Sequence, residues 1–450
     1  MCCYLADRLY RLSELIYQSP TINQFWVEGT VVDGETLETL ASHNRADLSS
    51  LALSFTHISY EVFECVCRPS PYLSSVVMTY VGPQVDPNGT SIGDDHDALV
   101  RALSTHCLEI EILSLRKWCI TDSALIALTN LIYLHELDLS GCSNVTSGGV
   151  CSLLVSLSGK LEKLSLTGDY IDTTLLQSIA ENCTILTCLK LHFRDLGIDL
   201  ALIYASLVYM IIKCPLLEIA DFGNQVSILA DVIMITLSHA CRTLKSLDMA
   251  GATYTALRRL LSSCPLLDSI NLINMTPFID TTLPIEETPC PSLTSITIQS
   301  EYMTDEQLCG ILKLCPNLQI FIIACPLVSD ATILALSQHC LKLTLIAILG
   351  PSQVTSAAPL TGFTLLRYID AQAEVTGETL LAFSVNCKYL KTVILRRCIG
   401  ILCNDVLRFI GSCPSLRKLT IGGCWNVEEG EALKRQINAV YPRVTFGLAV

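Results

Sequence analysis

The stretch Cys315–Leu349 reads CPNLQIFIIACPLVSDATILALSQHCLKLTLIAIL and holds one full period of the pattern that organises the chain. A cysteine opens it, and apolar side chains stand three, six and eight places later at Leu318, Phe321 and Ile323. Cys340 restarts the count with Leu343, Ile346 and Ile348. Positions +6 to +8 alternate in and out as a short strand does. Ser329-Asp330 then offers a hydroxyl to cap a helix and an acid to favour its N-terminus. Ile333, Leu334 and Leu336 supply apolar spacing of the helical kind, and His339 ends the helix just before the next cysteine.

The same register recurs along the whole chain. Its anchors are Ser19, Arg45, Ser70, Cys107, Leu131, Ser158, Cys183, Cys214, Cys241, Cys264, Cys290, Cys315, Cys340, Phe363, Cys387 and Cys413, sixteen units at a mean step of about 26 residues. Thr121-Asp122, Asp172-Thr173 and Thr304-Asp305 repeat the capping signal, and His43, His106 and His239 repeat the closing histidine. A histidine at a helix C-terminus complements the dipole, so these read as structural. Neither a lone strand nor a lone helix can bury its apolar face, so the units must stack. The expected fold class is α/β: one solenoid over residues 1–450, a horseshoe with parallel strands on the concave face and helices on the convex face. A capping helix and strand are expected over 428–450. At about 4.8 Å per strand, the ladder would span roughly 70 Å.

Composition is consistent with that reading and excludes others. The 450 residues are 51% hydrophobic and 16% charged, which rules out a disordered chain. Leu200 to Ile212 is uncharged but shorter than the roughly 20 residues a bilayer demands. It reads as an oversized helix of the convex layer. The N-terminus carries Asp7, Arg8 and Arg11 and shows no apolar leader, so a cytoplasmic or nuclear location is expected. In a reducing compartment the 23 cysteines read as buried thiols. Ten sit at anchors, and Cys142, Cys398 and Cys424 punctuate the turn after the strand. Cys65-x-Cys67 lacks a second pair at zinc-site spacing. No catalytic constellation, cofactor site or metal site is expected.

The run C-P-x-L-x-x-L-x-L-x-x-C, followed by an apolar residue and [TS]-D, resembles the cysteine-containing subtype of leucine-rich repeat over about residues 4–446. That subtype is best known from F-box proteins, whose repeats hold the substrate of a cullin-type ubiquitin ligase. The resemblance implies partner recognition without chemistry. An F-box would be a helical segment ahead of the repeats. Here Leu5 to Leu12 fits the helix of a first repeat leading into Ser19-Pro20 and leaves no room for one. Two function classes stay open: substrate recognition or an adaptor role in ubiquitin-dependent degradation, and a general scaffold or inhibitor with no ubiquitin link.

The register also says where a partner would sit. Side chains at +5, +7 and +9 point out of the strand-lined face, and many are small or polar, as at Ser295, Thr297 and Gln299. The repeats from Cys315 and Cys340 instead present Ile320, Ile322, Ala324, Leu345, Ala347 and Leu349. An exposed apolar patch of this kind marks an interface. Charge is uneven as well. Lys388 to Arg443 holds ten basic residues against four acidic ones, a local excess of +6 in a chain of net −14. Lys391, Arg396, Arg397, Arg417 and Lys418 are expected to cluster at the edge of the last repeats, where arginine suits carboxylates or phosphates. The expected partner is a protein with an acidic or phosphorylated segment. The net negative charge argues against nucleic acid or an anionic membrane. Two long loops, Gly82 to Asp97 and Thr276 to Pro291, are secondary candidates.

Overall fold

The computed structural model describes residues 16, 22–43, 48–82, 93–192, 200–223, 230–277, 288–350, 352–398, 400–422 and 427–449. The chain divides into two compact units, Met1–Gln225 and Val226–Val450. Each is a leucine-rich-repeat solenoid in which strand and helix alternate and consecutive strands pair in parallel.

In the first unit the order begins β1 (Gln24–Val32), α1 (Gly34–His43), β2 (Ser50–Phe55), α2 (Tyr60–Cys67), β3 (Ser75–Tyr80) and α3 (Gly93–His106). It continues β4 (Ile112–Arg116), α4 (Asp122–Leu128), β5 (Glu136–Asp138), α5 (Ser147–Ser156), β6 (Lys163–Thr167), α6 (Thr173–Asn182), β7 (Cys188–His192), α7 (Leu200–Lys213) and β8 (Ile219–Asp221). The second unit opens with α8 (Ala230–Ala240), β9 (Ser246–Ala250), α9 (Tyr254–Ser263), β10 (Ser269–Ile273), β11 (Ser295–Gln299) and α10 (Asp305–Leu314). Then come β12 (Ile320–Ala324), α11 (Asp330–His339), β13 (Leu345–Ile348), a 3₁₀ turn at Ala358–Gly362, and β14 (Tyr368–Val375). The series closes with α12 (Gly377–Asn386), β15 (Thr392–Cys398), α13 (Cys403–Ser412), β16 (Lys418–Gly422), α14 (Val427–Val440) and β17 (Thr445–Ala449).

Every anchor is followed by a strand beginning five places on, and β1 and β14 run longer at their far ends. The register is in phase from repeat to repeat: Ser295 faces Ile320, Ile320 faces Leu345 and Leu345 faces Tyr368. Positions +3, +6 and +8 form the core. Leu318, Phe321 and Ile323, like Leu343, Ile346 and Ile348, are all at most 1% exposed. Burying each such side chain contributes roughly 1.5–3 kcal/mol before conformational entropy is charged against it.

The anchor cysteine does two structural jobs. Its amide closes the last helical turn, as Cys340 N–H donates to Leu336 O at 2.8 Å and Cys264 N–H to Leu260 O at 2.9 Å. Its thiol reaches the anchor carbonyl one repeat back, from Cys340 to Cys315 and from Cys214 to Cys183, both at 3.5 Å. Burial pushes the Cys340 and Cys183 thiols up to about 12. No disulfide forms among the described residues.

Several expectations meet the structure differently. Gly82 to Asp97 does not stay a loop throughout, because α3 starts at Gly93 and carries His96 and Asp97 inward. His96 Nδ1 accepts the Cys119 amide at 2.9 Å within a cluster of Phe55, Tyr80 and Trp118, and Asp97 accepts the Thr121 amide at 2.8 Å. Residues 83–92 of that segment, 278–287 of the other long loop, residues 5–12, the anchors Ser19 and Arg45, and Cys424 lie outside the described residues. The Leu200 to Ile212 run does form a helix, α7, and it packs against α6. No described helix is long and apolar enough to cross a membrane.

Candidate partner-binding surface

A parallel strand presents every second side chain to the same side, so +6 and +8 go to the core while +5, +7 and +9 stay on the open side of the sheet. In the second unit that side carries the apolar patch. Ile320, Ile322 and Ala324 on β12 are half-buried and alternate with fully buried Phe321 and Ile323. Leu345 on β13 is half-buried, and Leu349 just past the strand is exposed. Ala347 departs from the expectation. Its methyl is only 5% exposed, because it sits in register between Ile322 and Asp370 and is smaller than either.

The patch has a polar border on one side, with Ser295 and Thr297 opposite Ile320 and Ile322. On the other side Tyr368 and Asp370 stand opposite Leu345 and Ala347. At the C-terminal ends of the strands, the patch opens onto a cavity of about 550 Å³. Leu349 and Ala324 belong to its wall, together with Met275, Tyr302 and Pro326. Asn274, at φ +49°, turns the chain at its rim through the left-handed region.

The basic residues do not gather into one cluster. Lys391, Arg417 and Lys418 lie at the N-terminal ends of β15 and β16, and all three are exposed. Arg396 lies five residues further along β15 than Lys391, about 16 Å away at strand rise. It is exposed but paired within the chain. Both its terminal nitrogens bind the carboxylate of Asp370, one of them at 3.0 Å, and Asp370 is only 4% exposed. A bulge explains the reach. Ala371 pairs with Leu395 and Glu374 with Arg397, so two residues of β14 stand opposite Arg396 alone. Burial and then the Asp370 charge push the nearby Tyr368 phenol up. The side chain of Arg397 lies outside the described residues.

One residue of the rim escaped the sequence reading. Arg367 is exposed and occupies the same +4 position as Lys391 and Arg417, one repeat earlier. Comparing that single position across repeats would have found it.

The first unit is built differently on the same side. There three of the charges are paired with neighbours: Arg116 lies 3.5 Å from Asp138, Lys163 is paired with Glu136, and His192 Nε2 lies 2.6 Å from Asp221. Burial alone would raise the Asp221 carboxyl, but the hydrogen bonds and charge of His192 leave it lowered. Cys65 and Cys67 are separated in environment, one exposed and one buried. Among the described residues no three His, Cys, Asp or Glu side chains stand together to hold a metal ion.

No protein-family model matches the chain, and no curated protein matches it. Solved structures do. A chain in the crystal structure of the Rad7 and Elc1 complex in yeast is 15% identical at a TM-score of 0.50, covering 87% of this chain and 82% of that one. Internalin C2 from Listeria monocytogenes is 14% identical at 0.31, covering 49% of this chain and 84% of its own. The TLR13–ssRNA13 complex is 14% identical at 0.40, covering 96% of this chain and 55% of that one. At these identities the likeness concerns the fold.

Proposed function

We propose that this chain is a non-enzymatic protein-interaction solenoid whose second unit holds a protein partner on the open side of its sheet. The observation that carries the reading is the group Ile320, Ile322, Leu345 and Leu349 on β12 and at β13, facing outward where adjacent β11 carries Ser295 and Thr297. Covering four large aliphatic side chains is worth a few kcal/mol, at about 25 cal/mol per Å². The neighbouring cavity gives one partner side chain somewhere to go. Of the other expected residues, Ala347 is covered and Arg396 is paired with Asp370. The net charge of −14 favours a protein over nucleic acid or an anionic membrane as the partner.

Within that class the more specific reading is substrate recognition or an adaptor role in ubiquitin-dependent degradation. Its support is the resemblance of the C-P-x-L repeats to the cysteine-containing subtype. The yeast chain of like fold was also solved in complex with a second protein. The alternative is a scaffold or inhibitor without that link. Affinity purification with mass spectrometry tests both. Ile322→Asp together with Leu349→Asp should abolish recovery of the partner set while circular dichroism and melting stay unchanged. Unchanged recovery would sink the interface. Cullin adaptors and proteasome subunits among the lost proteins favour degradation, and their absence favours the scaffold.

A further inference from the structure

Arg367, Lys391 and Arg417 repeat at +4 in three consecutive units, with Lys418 beside the last. Their backbones are stitched together: Lys391 N–H donates to Arg367 O, and Arg417 N–H to Lys391 O, each at 2.8 Å. The row therefore advances by one strand spacing, about 4.8 Å, per charge. All four side chains are exposed, and none has an acidic partner among the described residues. Within the row, Arg417 also donates to its neighbour Leu416 O at 3.4 Å. Other basic groups of the same segment are held elsewhere. Lys388 Nζ caps Ser384 O at 2.6 Å, Arg443 donates to Ile410 O at 3.2 Å, and Arg396 holds Asp370. The nearby acids are occupied too, Asp405 on the Leu402 amide at 3.1 Å and Glu431 with Lys434 at 3.4 Å. Leu365 and Tyr389, 43% and 55% exposed, lie two residues before Arg367 and Lys391 and add apolar surface to the rim.

We propose that Arg367, Lys391, Arg417 and Lys418 take a carboxylate-rich peptide segment of a protein partner, laid across the N-terminal ends of β14, β15 and β16. The proposal rests on the interaction reading above and adds the chemistry of what is bound. Phosphate recognition uses several donors, backbone amides or clustered arginines, converging on one point. Here the amides of the row are all turned sideways, since Lys391 and Thr392 both donate to Arg367 O, and Arg417 and Lys418 both donate to Lys391 O. What remains is a line of single cations. An extended peptide sets same-side residues about 6.7 Å apart, so the row of roughly 10 Å engages two or three carboxylates. Each exposed pair contributes little, about 0.2–1 kcal/mol, so the binding is cumulative and salt-sensitive.

Fluorescence anisotropy of the full chain with a labelled ten-residue glutamate peptide tests this, beside the glutamine peptide, a phosphoserine peptide of equal charge and a ten-nucleotide single-stranded RNA. The glutamate peptide should bind and the glutamine peptide should not, with affinity falling several-fold between 50 and 200 mM salt. Arg367→Glu with Lys391→Glu should weaken it about tenfold or more. Lys434→Glu with Arg435→Glu, the same charge change on α14, should leave it within twofold. Equal loss in both variants, no loss in the first, or absence of glutamate-peptide binding overturns the proposal. So does tenfold tighter binding of the phosphopeptide or the RNA. A concentration-dependent dimer in sedimentation, lost on row reversal, would assign the row to a second copy of the chain and equally overturn it. Should row reversal leave partner recovery intact while Ile322→Asp with Leu349→Asp abolishes it, only the row assignment falls.

Discussion

Asp305 accepts both the backbone amide and the hydroxyl of Ser329, at 3.0 and 2.6 Å, so the first residue of α10 closes the N-terminus of α11 one repeat on. The relation recurs between Asp122 and Thr146, Asp231 and Thr253, and Asp330 and Thr355. Ser329, Thr146 and Thr253 thus each cap their own helix while bonded to the acid behind them. A carboxylate has two oxygens, so it can accept the amide on one and the hydroxyl on the other. The [TS]-D dipeptide is therefore a clasp between repeats as well as a cap.

Asp305 also accepts the Thr332 amide at 3.2 Å. Burial opposes its charge, but the hydrogen bonds from Ser329 and Thr332 prevail and hold its pKa below the ordinary value. A lowered folded-state pKa gives stability that is complete above the unfolded value, about 3.9, and is lost as pH falls through the folded one. Asp305→Ala should cost about 1–2 kcal/mol at pH 7. The deficit relative to wild type should shrink below pH 4. Urea midpoints at pH 7 and pH 3 check both statements, and an equal deficit at the two values would contradict the linkage.

Arg396 and Asp370 should behave as a unit. Arg396→Met leaves a carboxylate that is 4% exposed without its cation, a loss of roughly 1–3 kcal/mol. Adding Asp370→Asn should recover much of that, since the stranded charge is gone. A double-mutant cycle on denaturation midpoints measures the coupling, and additive effects would show that the pair is not linked.

The thiols should sort by environment. Cys340, Cys214 and Cys183, each raised to about 12 by burial, are both protonated and covered at pH 8. Cys65 is exposed on α2. Brief iodoacetamide labelling of the native chain, read by peptide mass spectrometry, should modify Cys65 and spare the three anchor thiols. Rapid modification of Cys340 would mean that the anchor layer opens far more readily than its packing implies.

The strand and helix pattern was legible because each apolar slot is filled by a local rule, a fixed count from the anchor. What escaped depends on neighbours in space. Gly93, Asp94 and Asp95 read as loop residues, yet the helix they open is held by His96 and Asp97, whose partners Cys119 and Thr121 come from the next repeat. Ala347 satisfied the outward rule, but a methyl between Ile322 and Asp370 is covered whichever way it points. Arg396 looked available because its acid lies in another repeat, and a bulge in β14 brings the two together. Arg367 was missed for the opposite reason: it is informative only as one member of a row.

Ile322 and Ile323 are neighbours of identical composition on opposite sides of β12, so the pair separates surface from core without any change of chemistry. Ile323 is fully buried and Ile322 half-buried. Ile323→Ala should cost about 2–5 kcal/mol, the range for a buried aliphatic truncated in a packed interior. Ile322→Ala removes the same atoms from a site already in contact with water and should cost under about 1 kcal/mol. Denaturant titration of the two variants decides the register directly. A slip of one residue would exchange the two results, because it turns every side chain of the strand over. It would also move Ile320, Ile322 and Leu345 into the core and remove the surface on which the interaction reading depends.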